Sequence, residues 1–284
     1  MLNMKSVAKM TIDTKFKNLI QRQLVVFDFD ETLVDCNSDT WIHKLAPEHR
    51  IPDELNFKPG QDYFKHVQSV LHYLHGQRVT EQQYYDCLVT MPTVKGMINP
   101  LVTTLAKYPE KYDMIILSDS NSFFIGSFLK CKSLQNAITT VITNPARFGT
   151  DGQLLIDEYH IQDYCTLSSR NLCKGEALKN YIGKRMLDHN TVYTCINYIG
   201  DGENDLCPCT KLSPRDRVFP RLGYSLSRLC ARLMQEQNDD NLESSTNPTP
   251  GGVIRKLPEV KAKVLPWTTG EEILNVIIGE GTDV

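Results

Sequence analysis

The stretch LVVFDFDETLVDCNSDT, Leu24 to Thr40, decides how this chain folds. Leu24, Val25, Val26, Phe27 and Phe29 make the short apolar run of a strand buried on both faces, as in a parallel sheet covered by helices. The run ends on Asp28-Phe29-Asp30, and burying two carboxylates without partners is costly. Alternation along a strand points Asp28 and Asp30 to the same side, with Thr32 two residues on. In an open parallel sheet, ligands sit at the C-terminal strand ends. The stretch therefore predicts a strand that delivers two acids to a site.

The same design recurs further along. Tyr112 to Leu117 is a second apolar strand closing on Ser118-Asp119-Ser120-Asn121, and Thr139 to Thr143 is a third. Thr191 to Ile199 is a fourth, closing on Gly200-Asp201-Gly202-Glu203-Asn204-Asp205. Gln153 to Asp157 suggests a small hairpin strand and Lys263 to Leu265 a last short one. Helices are predicted within Pro92 to Lys107, over Asn171 to Met186 with Lys174 in its first turn, and from Thr269. Strands that alternate with helices and end in polar residues predict a doubly wound, Rossmann-like parallel α/β sheet.

Between the first two strands, Asp39 to Met91 carries no convincing strand. Ser38 or Asp39 caps a short helix through Trp41, Ile42 and Leu45, which Pro47 and Pro52 break. Phe64, Val67, Leu71 and Leu74 then recur at helical spacing, and Thr80-Glu81-Gln82-Gln83 opens another helix. Residues 39–91 read as a small helical cap inserted after the first strand, with 24–38 and 92–284 as the catalytic core. Residues 1–23 read as a flexible lead-in. The polar stretch 235–252, apolar only at Leu242, reads as a mobile loop within the core.

With 284 residues, 41% of them hydrophobic and 23% charged, the chain has the composition of a soluble globular protein. Nine cysteines at irregular spacings and no apolar leader point to a reducing compartment, read as the cytoplasm. No stretch approaches the roughly 18 uninterrupted apolar residues of a membrane span. A net charge of −3 spread along the chain gives no basic stripe for nucleic acid, and nothing sets the oligomeric state.

The order D-x-D-x-T at Asp28 to Thr32, then Ser118, then Lys174, then G-D-G-E-N-D at Gly200 to Asp205 resembles the four-motif signature of the haloacid-dehalogenase-like (HAD-like) phosphatases. More narrowly, FDFDETLVDCNSDTW, ILSDSNSFF, TNPARF, NLCK, YIGDGENDLCP and FPRLGY resemble the pyridoxal-phosphate phosphatase branch. That branch is similar to the phosphoethanolamine/phosphocholine phosphatases. The resemblance covers roughly Leu24 to Tyr224 and returns at VLPW, Val264 to Trp267.

The resemblance implies a HAD-like core and a Mg2+-dependent phosphatase acting on a small phosphomonoester through an aspartyl-phosphate. Asp28 would attack phosphorus, and it would bind Mg2+ together with Asp201 and the backbone carbonyl of Asp30. Asp205 would be a further metal ligand or an acid behind the ligands. The Asp30 carboxylate would handle protons, a role absent from dehalogenases and ion-pumping ATPases of the superfamily. Lys174 and Ser118 would meet the phosphoryl oxygens, with Thr32 and Asn204 orienting these groups. Asp39 and Asp119 correspond to acids assigned to substrate binding, although either also suits a helix cap. Trp41 offers a flat face to a pyridine ring or belongs to the core of the cap. The expected substrate is pyridoxal 5'-phosphate. Phosphoethanolamine or phosphocholine is the alternative, and a phosphomutase or a catalytically silent binding module are the other classes.

Two features depart from the pattern or stand outside it. Relatives place a Cys and a Pro where this chain has Ser168 and Ser169, which weakens the case for a structural cluster around Cys165 and Cys173. Cys207-Pro208-Cys209 reads more readily as reduced thiols beside the active-site loop than as a metal pair, because the spacing is not that of a zinc knuckle.

Overall fold

In the computed structural model, which describes residues 19–243 and 258–279, the apolar run becomes β1 (Ile20–Phe27). A helical segment follows, with α1 (Ser38–Trp41), α2 (Tyr63–Gly76) and α3 (Glu81–Leu88), and α4 (Leu101–Leu105) leads into β2 (Tyr112–Asn121). Next come α5 (Ser122–Cys131), β3 (Thr140–Asn144) and the antiparallel pair β4 (Ala146–Phe148) and β5 (Leu154–Ile156). The chain then runs through α6 (Lys174–His189), β6 (Thr191–Gly200), α7 (Leu206–Cys209) and β7 (Arg217–Pro220). It finishes with α8 (Ser225–Glu243), β8 (Lys263–Val264) and α9 (Gly270–Gly279).

Six strands form one sheet in the order β3-β2-β1-β6-β7-β8, and every pair is parallel. The chain winds outward from β1 through β2 and β3, then returns to the other side of β1 at β6. The order therefore reverses between β1 and β6, which is where ligand crevices open in such sheets. This is the doubly wound α/β architecture predicted from the strand pattern.

Alternation along β1 builds two apolar layers. Leu24 and Val26 pack with Leu172, Leu178 and Tyr198 on the face covered by α6. Val25, Phe27 and Phe29 face the other way, into a core that continues without a break to Phe64, Leu71 and Leu74 of α2. The helical insert thus shares a core with the sheet. Its helices start at side-chain caps: Asp62 accepts from the Lys65 N–H, and Thr80 and Gln83 form a reciprocal capping box.

Several boundaries differ from the expectation. β1 starts at Ile20, because its exposed first half pairs with Thr191 to Tyr193 through the backbone, which polar side chains do not prevent. Residues 20–23 of the expected lead-in are therefore strand, and 1–18 lie outside the described residues. The first insert helix is capped by Asn37, whose side chain accepts from the Thr40 N–H, and not by Ser38 or Asp39. The expected loop 235–252 begins inside α8. Leu226, Cys230 and Leu233 anchor that helix at helical spacing and carry it on to 243, while 244–252 lie outside the described residues. β7 was not expected, since Val218 and Phe219 are too short an apolar run to signal a strand.

Candidate active site

Asp28 is the first residue past β1, and its parity with Leu24 and Val26 aims it at the layer where Lys174 opens α6. Lys174 Nζ donates to Asp28 Oδ2 at 2.7 Å and to Asp205 Oδ1 at 2.8 Å, and all three side chains are buried. Burial alone would lower the pKa of the ammonium, but Asp205 and then Asp28 outweigh it and hold it above its ordinary value. Lys174 is a fixed positive charge.

Asp205 is committed to holding this arrangement. Its Oδ1 also accepts from the Tyr198 hydroxyl at 2.6 Å, and its Oδ2 accepts from the N–H groups of Asp201 at 3.1 Å and Gly202 at 3.0 Å. Four donors fill the acceptor positions of a carboxylate. Gly200 makes the close approach possible, because a Cβ there would lie 2.4 Å from Asp205 Oδ2. Of the two roles open to Asp205, this bonding favours the acid behind the ligands.

Asp201 follows β6 across the crevice, and its Oδ1 accepts from Thr32 Oγ1 at 3.2 Å. Burial first, and Asp205 next, push its carboxyl up to about 8. Asp28 is pushed well above the usual carboxylate range by burial and then by Asp205, with Lys174 opposing. Asp28, Asp201 and Asp205 each bring a carboxylate oxygen within 4.8 Å of the others. Three acids against one ammonium leave buried negative charge uncompensated, and hard oxygen donors are the ligands Mg2+ takes. With Asp205 taken up by its four donors, Asp28 and Asp201 are the carboxylates that fit that ion.

Asp30 does not follow the alternation expected of it. β1 ends at Phe27 and the chain turns at Phe29, whose carbonyl accepts from the N–H groups of Thr32, Leu33 and Val34, so strand alternation no longer governs Asp30 and its carboxylate faces the start of the insert. Its Oδ1 accepts from the Ser38 N–H at 2.8 Å and its Oδ2 from Ser38 Oγ at 3.0 Å. Ser38 Oγ in turn shares a 2.9 Å hydrogen bond with Ser120 Oγ beyond β2's apolar run. Burial, then Asp39, raise the Asp30 pKa well above its ordinary value against the opposing Ser38 bonds. The two acids of D-x-D thus have separate partners, and Asp119 is a charge that bears on both.

The third motif residue, Ser118, is buried, and its Oγ accepts from the Ser120 N–H at 3.2 Å. The β2–β3 register breaks between Leu117 and Asn121, which frees Ser118 to Ser120 from the ladder. Asp119 is held from two sides: Asn204 Nδ2 donates to its Oδ2 at 2.9 Å, and Asn144 Nδ2 donates to its carbonyl at 2.6 Å. Asn171 Nδ2 donates at 3.2 Å to Asn144 Oδ1 and so steadies that residue. The cap of α5 is Asn121, not Asp119.

A cavity of about 330 Å³ is lined by Asp39, Tyr63, Phe64, Asp119, Arg170 and Asn171, among others. Asp39 is pushed up to about 7 by burial and then by Asp119, while a hydrogen bond from Tyr63 opposes the rise. Trp41 does not line this cavity; its indole N–H donates to the Cys87 carbonyl at 3.1 Å inside the insert. A larger hollow of about 890 Å³ beside α2 and β5 contains none of the acids.

Ser38, Tyr63, Arg170, Tyr198 and Arg221 belong to this region and were not singled out from the sequence as site residues, Ser38 having been read only as a helix cap. Arg221 donates to the Glu31 carbonyl and to Asp35 Oδ1, each at 2.6 Å, and locks the turn after β1. Its place in FPRLGY was the available signal for it. For Arg170, an exposed residue in a loop, the sequence carried none.

The family model described as Putative Phosphatase matches residues 23–280. "Pyridoxal phosphate phosphatase PHOSPHO2" of Bos taurus is 37% identical over 256 residues, which cover 89% of this chain and 96% of that protein. The Homo sapiens protein of the same name is 38% identical over 253 residues, covering 89% and 95%. The Homo sapiens "Phosphoethanolamine/phosphocholine phosphatase" is 30% identical over 253 residues, covering 89% and 86%.

Proposed function

We propose that this chain, which belongs to the Putative Phosphatase family, hydrolyses small phosphomonoesters through an aspartyl-phosphate on Asp28, with pyridoxal 5'-phosphate as its substrate. The observation that carries the phosphatase reading is the buried contact of Lys174 Nζ with Asp28, 2.7 Å apart at the crevice between β1 and β6.

Asp28 and Asp201, with the Asp30 carbonyl, would hold Mg2+, which when bound offsets phosphoryl charge and keeps the Asp28 carboxylate ionised. Lys174 and the Ser118 hydroxyl meet the phosphoryl oxygens. An Asp28 oxygen bonds to phosphorus as the ester P–O bond breaks, and the departing alkoxide takes the proton of Asp30. Asp30 then accepts a proton from water, whose oxygen attacks the aspartyl-phosphate and releases phosphate and the Asp28 carboxylate. The raised pKa of Asp30 supplies the protonated acid that the first half needs. Asp205 acts on none of these atoms. It positions Lys174 and the Asp201-Gly202 backbone.

The mixed charge of the chamber supports the substrate. Asp39 and Asp119 lie there with Arg170 and the aromatic Tyr63 and Phe64. Pyridoxal phosphate is flat and carries both a basic ring nitrogen and an acidic phenol, so it uses acids and guanidinium together. Phosphocholine and phosphoethanolamine present a cation only, and they would leave Arg170 without a partner. The relatives named for pyridoxal phosphate are also more similar than the one named for the amino-alcohol esters. Competing the three esters at equal concentrations, with and without Mg2+, tests the reading through kcat/KM. Pyridoxal phosphate is expected to win and to need the metal. A preference for either amino-alcohol ester would remove the substrate and leave the mechanism standing.

A further inference from the structure

Beside Lys174, two thiols of the segment that leads into α6 converge with one from α7. Cys165 Sγ lies 3.4 Å and Cys173 Sγ 3.7 Å from Cys207 Sγ, and all three sulfurs lie within 4.8 Å of one another. Cys173 and Cys207 are buried and Cys165 is half-buried. The Ser168 hydroxyl donates to Cys173 Sγ at 3.5 Å and lies close enough to influence the thiols of Cys165 and Cys207. Cys209, two residues beyond Cys207, packs instead into the apolar layer with Cys230, so the Cys207-Pro208-Cys209 pair splits between two environments.

We propose that Cys165, Cys173 and Cys207 are the thiolate ligands of a structural site for one zinc ion, with the Ser168 hydroxyl at the fourth position. Tetrahedral zinc with Zn–S bonds of about 2.3 Å sets its sulfurs about 3.8 Å apart. The observed separations are close to that edge, and they are too short for an iron–sulfur cluster, whose cysteine ligands bind different irons. A disulfide would use two sulfurs and leave the third and the hydroxyl without a role. Sulfur donors also select a softer ion than the carboxylates of the catalytic crevice do.

The surroundings are built to bring these donors together. The Gln162 side chain bonds the Cys165 N–H at 2.8 Å and the Ser169 carbonyl at 2.9 Å, closing the loop that carries Cys165 and Ser168. His160 Nε2 accepts from the Cys173 N–H at 2.8 Å. Gly175 lets α7 approach α6, because a Cβ there would lie 2.7 Å from Cys207 Sγ. Binding displaces the thiol protons to solvent, with no change of oxidation state. The ion would fasten Cys173, the residue before Lys174, to Cys207 in α7, two residues after Asp205, and so brace both sides of the buried Lys174–Asp205 bond. Its role is positioning.

The full-length chain, reduced and held in excess Mg2+ to occupy the oxygen donors, is titrated with Co2+ as the probe. About one equivalent should bind with an intense near-ultraviolet thiolate-to-cobalt band that Zn2+ displaces. C165S and C207A should lose affinity by about tenfold or more, with C165S the milder change should C207A fail to fold. Ser168→Cys supplies a fourth sulfur and should tighten binding by a similar factor. D28N should keep the band, since the crevice is a separate donor set. An unaltered chain that shows no band overturns the proposal, as does a band that survives C165S undiminished. A disulfide among these three cysteines, seen as a loss of two hydrogens by mass, overturns it as well.

Discussion

The crevice between β1 and β6 and the chamber beside α2 lie close together but are built by different rules. In the crevice, Lys174, Asp28 and Asp205 are buried and joined by hydrogen bonds of 2.6 to 2.8 Å to groups that are themselves fixed. Every acceptor position on Asp205 is filled. In the chamber, Asp39, Asp119 and Arg170 come from three unconnected segments, and Arg170 is exposed. The first arrangement suits a reaction that never changes. The second suits a choice among leaving groups, which needs charge and shape but tolerates solvent.

That contrast predicts how substitutions divide. The largest effect belongs to Asp28→Asn, which removes the attacking oxygen and should lower turnover by about 10³-fold or more on every ester tested. Circular dichroism should show the fold intact. If Asp28→Asn spares one ester, the crevice is not the common machinery. Asp30→Asn comes next, at about 10²-fold. Mg2+ affinity should persist, because the Asp30 carbonyl is unchanged, and aspartyl-phosphate should accumulate in rapid-quench experiments. Loss of metal affinity in that variant would contradict the division between its carboxylate and its carbonyl.

The same contrast explains what the sequence disclosed. The placing of Asp28, Ser118 and Asp201 at strand ends was legible because a polar residue at the end of an apolar strand breaks a strong pattern, whereas Lys174 was singled out through the resemblance that NLCK carries. The sheet followed from that pattern too. Asp30 was misdirected because strand alternation was extended past the end of β1, whereas the chain turns at Phe29 under hydrogen bonds from Thr32, Leu33 and Val34. Asn37 and Asn121 hold the caps that Asp39 and Asp119 were also candidates for, and one-residue choices of that kind depend on how each loop packs. Tyr63 and Arg170 reach the chamber through tertiary contacts that no local period records. The sequence argued against a cluster at Cys165 and Cys173, because Ser168 and Ser169 replace a Cys and a Pro of the relatives, and against a Cys207-Cys209 pair by spacing; the fold nonetheless gathers Cys165 and Cys173 onto Cys207, up to 42 positions away.

Arg170 sharpens the chamber side of the comparison. Arg170→Ala should lower kcat/KM for pyridoxal phosphate by about tenfold, the range of one hydrogen bond to a charged group. Phosphocholine, which gives Arg170 nothing to bind, should be nearly unaffected. An equal loss on both esters would make Arg170 part of the phosphate machinery and would dissolve the distinction between the regions.

The smallest effect is a pH dependence at Asp39. Burial and then Asp119 push its carboxyl up to about 7, so it is neutral below that pH and charged above it. A cationic leaving group should therefore bind better as pH rises from about 6 to 8. The gain in KM for phosphocholine is about fivefold, the worth of a partly solvated ion pair near 1 kcal/mol. Asp39→Asn should flatten that profile while the kcat profile keeps its shape. Stability gives an independent reading with the sign fixed by linkage. The folded pKa of about 7 stands above the unfolded value of about 3.9, so between those pH values the folded chain holds a proton that the unfolded chain has released. Asp39 therefore makes the fold less stable as pH rises through that window, and urea midpoints should show a shallower decline in Asp39→Asn than in the unaltered chain. A variant with the same slope would place the Asp39 carboxyl in ordinary solvent contact, and the chamber would lose the buried acid on which its preference for cationic groups depends.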